Sequence, residues 1–466
     1  MKENWHKIRI RIVKLLNPIF MIIPFVVGWI LYYQERLWKE PFYQKGNTMI
    51  FVLYIVVYMT YGHIYDSFRI SQVRISELIY SQCLAAFITN AAMYVITWLL
   101  FRHIPAVWPL LLVFAAQIVI SALWTTTANH WYFRNFAAKK TVVIYDKREG
   151  VENLLKEYGL DKKFQVQDVI DIDTCIHKKF EGFENLDAVF LCGIHSHERN
   201  IILKYCVEHK ISVYVIPRIG DVLMSGAKRM HMLHLPILMV QRYNPRIEYV
   251  IVKRMADILL SGVAFILLLP VFIITSIAIK ATDGGPVFYR QTRLTKDGKE
   301  FDVLKFRSMR VDAEKDGVAR LSSGENDPRI TPVGRVIRKC RIDELPQLFN
   351  ILKGDMTIVG PRPERPAIAA EYEKVMPEFR LRLQAKAGLT GYAQVYGKYN
   401  TTPYDKLLMD LTYISRPSLL EDMMIMFATV KILFMPESTE GVEEGQITAM
   451  QDTPASGTDK EKKDEQ

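Results

Sequence analysis

The sequence predicts a mixed membrane protein in three parts: an N-terminal four-helix transmembrane bundle, a central α/β doubly wound, Rossmann-like domain, and a C-terminal α+β domain carried on a proline-broken apolar helix. Three observations carry this expectation. The first 133 residues hold four apolar runs of spanning length, and three short, continuous apolar runs follow between residues 141 and 217. At Lys253 a cationic pair precedes another long apolar run, interrupted by Pro270, with a dense set of acids and cations downstream. The composition agrees: 466 residues with 50% hydrophobic content and a mean hydropathy of +0.06 are too apolar for an ordinary aqueous enzyme and too charged for a pure transporter. The net charge of +10 suits anionic headgroups and phosphorylated substrates as well as nucleic acid, and no nucleic-acid partner is expected. Five cysteines (Cys83, Cys175, Cys192, Cys206, Cys340) have no paired metal spacing and are odd in number, which argues against a disulfide framework or a zinc site.

The apolar runs are Leu15–Tyr33, Thr48–Ile64, Leu78–Phe101 and Ile104–Trp124. Each is near the roughly 20 residues that cross a bilayer. Trp29, Trp98, Trp108, Trp124 and Trp131 lie within or near their ends, as interfacial aromatics do. Lys2, Lys7, Arg9, Arg11 and Lys14, then Arg69 and Arg74, then Arg134, Lys139 and Lys140, outweigh Arg36, Lys39, Lys45 and Arg102 on the alternate side. Both ends of this bundle, residues 1–133, are therefore expected in the cytoplasm. Almost no charge lies inside the runs, so they read as an anchor rather than an ion path.

TVVIYD (141–146), AVFLCG (188–193) and SVYVIP (212–217) look like strands of a buried parallel sheet, alternating with helical segments Gly150–Tyr158 and Glu198–Glu208. They define a domain over 139–245. The stretch after the first strand, YDKREGVENLL, has no G-x-G-x-x-G, so a structural or regulatory role is favoured over a dinucleotide site.

From Lys253 and Arg254 the chain enters an apolar run long enough to span, over 253–281. Either it is a fifth spanning helix kinked by Pro270, or it breaks there, re-enters and leaves on the same face, with Lys253 and Arg254 at the headgroups.

RKCRIDELPQLFNILKGDMTIVGPRP (338–363) concentrates adjacent carboxylates, Asp343 and Glu344, with Arg338, Lys339, Arg341, Lys353 and a Pro-Arg-Pro corner at Arg362. Adjacent acids can supply a nucleophile and a metal ligand or base, and guanidinium groups grip phosphates with two donors. A diphosphate substrate needs both. Asp343 before Glu344, Leu345 and Pro346 also reads as an ordinary helix N-cap, with proline in the first turn.

GGPVFYRQTRLTKDGKEFDVLKFRSM from Gly284, NDPRITPVGRVIRKCRIDELPQLFNILKGDMTIVGPRP and AGLTGYAQVYGK, in that order, resemble the bacterial sugar transferase family of membrane-bound polyprenyl-phosphate phosphoglycosyl transferases. With the upstream bundle and α/β domain the chain is similar to the large monotopic members, which initiate capsule, exopolysaccharide or O-antigen synthesis. The resemblance implies a catalytic domain over 250–436 on a re-entrant helix, facing the cytoplasm at the bacterial inner membrane. It implies transfer of a sugar-1-phosphate from a UDP-sugar to undecaprenyl phosphate, with Asp343 as nucleophile, UMP as leaving group and a covalent aspartyl phosphosugar between. Glu344 completes the site, through Mg²⁺ held with Asp343 or by managing the acceptor's proton, and Arg338 and Arg362 hold phosphate.

Gln291, Arg293, Lys305 and Arg307, on strand-like segments, are candidates to steer anionic substrate, the alternative being a solvated basic face. Gly388, Thr390, Gly391 and Gln394 mark a turn near the expected sugar or uridine pocket. Asp327 and Arg329 read as a structural turn or ion pair. Tyr404–Tyr413 and Leu419–Phe434 read either as interfacial helices or as core, and 437–466 as a disordered tail. A homodimer is permitted. The competing function is a membrane-anchored, nucleotide-sugar-sensing regulator without transferase activity.

Overall fold

A computed structural model describes residues 2–37, 44–101, 103–146, 150–157, 159–177, 180, 182–311, 329–397 and 401–433. Lys39, Arg102, Asp327 and the expected tail 437–466 lie outside these residues. The chain divides into two compact units at Pro217/Arg218.

In the first unit, α1 (Lys2–Gly28) continues through a π turn at Trp29–Tyr33 and is followed by α2 (Gln44–Ile64), α3 (Ile75–Leu100) and α4 (Trp108–Asn135). Among the described residues these four are the helices long and apolar enough to cross a membrane singly. Their interior is cross-linked by neutral polar groups. Gln117 Nε2 donates to Tyr54 OH at 2.7 Å and to the Met21 carbonyl at 2.8 Å, and Gln117 Oε1 accepts from Asn90 at 2.7 Å. Gln82 Oε1 accepts from Ser121 at 2.8 Å, and Tyr58 OH donates to Asn17 at 2.8 Å.

The same unit continues with β1 (Lys139–Tyr145), α5 (Val151–Glu157), β2 (Phe164–Asp171), α6 (Ile172–His177), β3 (Ala188–Cys192), α7 (Ser196–Glu208) and β4 (Ser212–Ile216). The strands form one parallel sheet in the order β2-β1-β3-β4. β1, β3 and β4 are the three apolar runs read from the sequence, whereas β2 is an edge strand whose polar residues hide it.

The second unit begins with α8 (Ile219–Ser225) and the hairpin β5 (Lys228–Met232) and β6 (Leu235–Met239). α9 (Ile247–Leu267) and α10 (Leu269–Asp283) follow, bent by 61° from one another. The break falls at Leu268, and Pro270 occupies the first turn of α10, where its missing N–H costs no helical hydrogen bond. α9 has its polar side inward. Val250, Ile251, Met255, Leu259, Val263 and Ile266 are exposed, while Tyr249, Lys253, Arg254 and Asp257 engage the folded unit.

Beyond them come β7 (Phe288–Leu294), β8 (Glu300–Phe306), α11 (Pro332–Lys339), α12 (Gln347–Lys353), β9 (Thr357–Val359), α13 (Pro366–Val375), β10 (Gly388–Thr390), α14 (Tyr392–Tyr396), α15 (Pro403–Ser415) and α16 (Leu419–Leu433). β7 and β8 pair antiparallel, β9 and β10 parallel. α15 is core, burying Leu407, Leu411, Tyr413 and Ile414 against Val359 and Phe379.

Lys253 and Arg254 depart from the expectation that they sit at headgroups. Lys253 Nζ lies 2.8 Å from Asp422 of α16 and 3.1 Å from Tyr413 OH, its side chain only 15% exposed. Arg254 donates to the carbonyls of Ile351 at 2.7 Å and Leu352 at 2.9 Å, in the last turn of α12. A cation there complements the helix dipole. Asp257, one turn on, accepts from Thr357 Oγ1 at 2.7 Å and the Ile358 N–H at 3.0 Å, fixing β9.

Candidate active site

Four short elements converge on the acidic pair. Thr331 caps α11, its hydroxyl accepting from the Gly334 N–H at 2.9 Å, and Pro332 follows at the first helical position. This helix carries Arg338 in its last turn. The chain then turns sharply through Arg341, a non-glycine residue in the left-handed region (φ 56°, ψ 19°), into a single 3-10 turn, Ile342–Glu344. Asp343 therefore is not the N-cap expected of it: the cap position of α12 falls to Pro346. The left-handed turn separates α11 from α12 and leaves both acids on the connection between them.

β8 brings Lys305 to this connection. Asn350 of α12 accepts from the Leu304 N–H at 3.0 Å and donates to the Asp302 carbonyl at 2.7 Å, stitching helix to strand. Lys305 Nζ then lies 3.2 Å from Glu344 Oε1. Arg362, on the corner after β9, lies 3.9 Å from the same oxygen and remains 45% exposed.

The acids are neighbours shifted in opposite directions. Burial, then the Glu344 charge, push Asp343 up to about 6, against the pull of Lys305, Arg338 and Arg341. Burial would raise Glu344 too, but Lys305, Arg362 and Arg341 together hold it down, at about 2. One acid is thus locked as an anion in an ion-pair cage, while the other titrates near neutrality.

The corner itself rests on backbone contacts that only glycine permits. The Gly360 N–H donates to the Thr390 carbonyl at 2.8 Å and the Gly388 N–H to the Pro361 carbonyl at 2.9 Å. A Cβ on Gly360, Gly388 or Gly391 would meet backbone atoms closer than 3.0 Å, in each case those of the facing segment.

Of the other residues singled out, Arg338 and Lys305 act on the acids, whereas Arg293 feels the Glu344 charge but makes its hydrogen bonds elsewhere, and Arg307 is paired elsewhere. Arg293 turns back to Gln291 Oε1 at 2.6 Å and the Pro363 carbonyl at 3.0 Å. Arg307 is buried and paired with Asp283 at the end of α10. Gln394 donates to the Leu389 carbonyl at 3.1 Å, bracing the 388–391 turn. Arg341 was not among the residues assigned a role; its signal is its backbone, which sequence does not show.

The profile of the family described as bacterial sugar transferase matches residues 248–436. A UDP-N-acetylgalactosamine-undecaprenyl-phosphate N-acetylgalactosaminephosphotransferase of Aeromonas hydrophila is 37% identical over 234 residues, 50% of this chain and 54% of that protein. A UDP-glucose:undecaprenyl-phosphate glucose-1-phosphate transferase of Escherichia coli K12 is 41% identical over 185 residues, 39% of each chain. One of the same name in Caulobacter vibrioides is 38% identical over 199 residues, 42% of this chain and 74% of that protein. The chain thus spans about half the length, or less, of the first two relatives. The profile match takes in α9 to α16 and with them the acids, their cations and the glycine-braced corner. On that match and the Caulobacter relative, the chain belongs to the bacterial sugar transferase family.

Proposed function

We propose that the protein transfers a sugar-1-phosphate from a UDP-sugar to undecaprenyl phosphate, the first membrane step of capsular, exopolysaccharide or O-antigen synthesis. The observation that carries this reading is the acidic pair: one half-buried carboxyl that titrates near neutrality, beside one held anionic by Lys305 and Arg362. An ionised Asp343 oxygen attacks the sugar-bearing phosphorus, the bond to UMP breaks, and UMP leaves with the electron pair. An oxygen of undecaprenyl phosphate then attacks the same phosphorus and releases Asp343 as carboxylate. Kinetics are ping-pong. Arg362 and Arg338 neutralise phosphate charge in both steps.

Mg²⁺ fits the donor set. Among the described residues no group of three His, Cys, Asp or Glu side chains could hold a metal, so Asp343 and Glu344 would hold it as a pair, with the substrate. Mg²⁺ commonly takes one or two carboxylates and completes its shell with substrate phosphates and water. When bound it would screen diphosphate charge.

The membrane placement is read from α9 and α10. Apolar residues outward and charges inward suit a helix surrounded by lipid. Both ends of the bent pair are tied to one folded unit: Arg254 to α12, α12 through Asn350 to β8, and Arg307 just after β8 to Asp283. That supports entry and exit on a single face, with domains over 1–133, 139–245 and 250–436. UDP-sugars are made in the cytoplasm, so the site faces inward from the bacterial inner membrane. The relatives' names carry two different sugars, and the donor is left to experiment.

The test is UMP release from a panel of UDP-sugars by full-length protein in nanodiscs, with undecaprenyl phosphate and Mg²⁺. Lipid-dependent release from one donor is expected, and Asp343→Asn should lower it by about 10³-fold or more, as removal of a nucleophile does. No release from any donor, with folded protein and competent lipid, would overturn the transferase and favour the sensor.

A further inference from the structure

The Arg362 corner has an anchoring problem. Pro361 and Pro363 have no N–H, so half of the segment's backbone donors are missing and more of its anchoring falls to its carbonyls. Four successive carbonyls are indeed taken. Pro361 accepts from the Gly388 N–H at 2.9 Å, Arg362 from Arg382 Nη2 at 2.9 Å, Pro363 from Arg293 Nη1 at 3.0 Å and Glu364 from the Leu294 N–H at 3.0 Å. Two of the four donors are guanidinium groups, that of Arg382 buried and that of Arg293 largely so.

Those guanidiniums belong to one internal network. Arg382 is 3% exposed, and its Nη2 lies 2.6 Å from Asp410, itself 1% exposed on α15. Arg382 Nη1 lies 3.5 Å from Glu364 Oε1, and Glu364 Oε2 lies 3.8 Å from Arg293 Nη1. The ring of Phe379 sits 4.8 Å beneath the Arg382 guanidinium. Arg382 faces away from solvent, while Arg362, whose carbonyl it grips, points its own guanidinium outward. A buried charge is costly unless it is paired and hydrogen-bonded. Here the pairing also fixes a backbone.

We propose that Arg382, seated between Asp410 and Glu364, is a positioning residue that aims the Arg362 guanidinium at the donor's diphosphate. The claim rests on the reading of Arg362 as a phosphate-holding residue. Arg382 touches no substrate, and its contribution passes entirely through the Arg362 carbonyl.

The test is a double-mutant cycle on full-length protein in nanodiscs, with Arg362→Ala, Arg382→Lys and the pair, read as donor KM and kcat and as calorimetric affinity for UDP with Mg²⁺. Lysine keeps a charge opposite Asp410 but has no planar fork to serve three acceptors. Each single variant is expected to raise donor KM and weaken UDP binding by about tenfold, kcat moving less, and the double variant to be within about twofold of the worse single, since coupled residues are non-additive. Effects that multiply would overturn the proposal, because a merely structural loss is indifferent to the side chain at 362. If Arg382→Lys does not fold, Glu364→Gln replaces it, with a shift of about threefold and the same non-additivity expected. If wild type binds UDP but transfers nothing, the transferase reading falls and the UDP cycle still decides the positioning claim. If wild type does not bind UDP, both fall.

Discussion

The transmembrane bundle and the catalytic unit both bury polar cross-links, but of opposite kinds. In the bundle they are neutral: the Gln117, Asn90 and Tyr54 contacts and the Gln82 and Ser121 contact join helices without a charge among them. In the catalytic unit they are ionic: Arg382 with Asp410, Lys253 with Asp422, Arg307 with Asp283. An amide in hydrocarbon can find substitute partners when one is lost, so its bond contributes little beyond specificity. A buried ion stripped of its partner has no such recourse. The bundle is therefore built to tolerate substitution, and the catalytic unit to hold a few groups in one geometry.

The comparison breaks most visibly if Asp410→Ala proves mild. Leaving buried Arg382 with only Glu364, 3.5 Å away, as counter-charge should cost about 3 kcal/mol, measured as a shift in denaturant unfolding of the second unit's tryptophan-free core by circular dichroism. A second lever is pH, which acts on charges and leaves amide and hydroxyl cross-links alone. Since burial and Glu344 raise Asp343 to about 6, the carboxylate that the proposed mechanism needs as nucleophile is present above that pH and lost below it. The transfer rate should fall about tenfold per unit below pH 6. Arg338→Met removes a cation that stabilises the ionised form, so the acid limb of the pH–rate profile should move upward. The smallest effect is expected in the bundle. Gln117→Leu should cost about 0.6 kcal/mol, and at most about 1.7, by thermal unfolding in nanodiscs. A loss as large as that for Asp410→Ala would erase the contrast between the two regions.

What was legible in the sequence follows the range of the physics involved. Apolar runs are local, so α1 to α4 and the inner strands β1 and β3 could be read directly, whereas β2, an edge strand written FQVQDVID, could not. Asp343, Glu344 and Arg362 stand in one short motif, and their proximity, with Arg362 3.9 Å from Glu344, needs little more than that motif. Lys253 and Arg254 sat beside an apolar run and so resembled headgroup anchors, but their partners lie 169 and 97 residues away. Nothing near them in the chain announces Asp422 or Ile351. Arg382 was invisible for the same reason: it is one arginine in an unremarkable PEFRLRLQ, and its importance comes from a carbonyl 20 residues upstream. The alternative reading of Asp343 as a helix cap rests on Asp three residues before Pro346, and the left-handed Arg341 that displaces it is a backbone state available to few side chains at little cost.

The three glycines that brace the corner set a limit on how this protein can diverge. Every amino acid one base change away from a glycine codon carries a Cβ, and at Gly360, Gly388 and Gly391 that atom would strike the backbone of the opposing segment. No single substitution at these positions leaves the corner where it is, and relief at one requires movement at the others. If the proposed transfer holds, new donor specificities arise around a fixed point, by exchange of side chains elsewhere, while the corner that carries Arg362 passes unchanged from one specificity to the next.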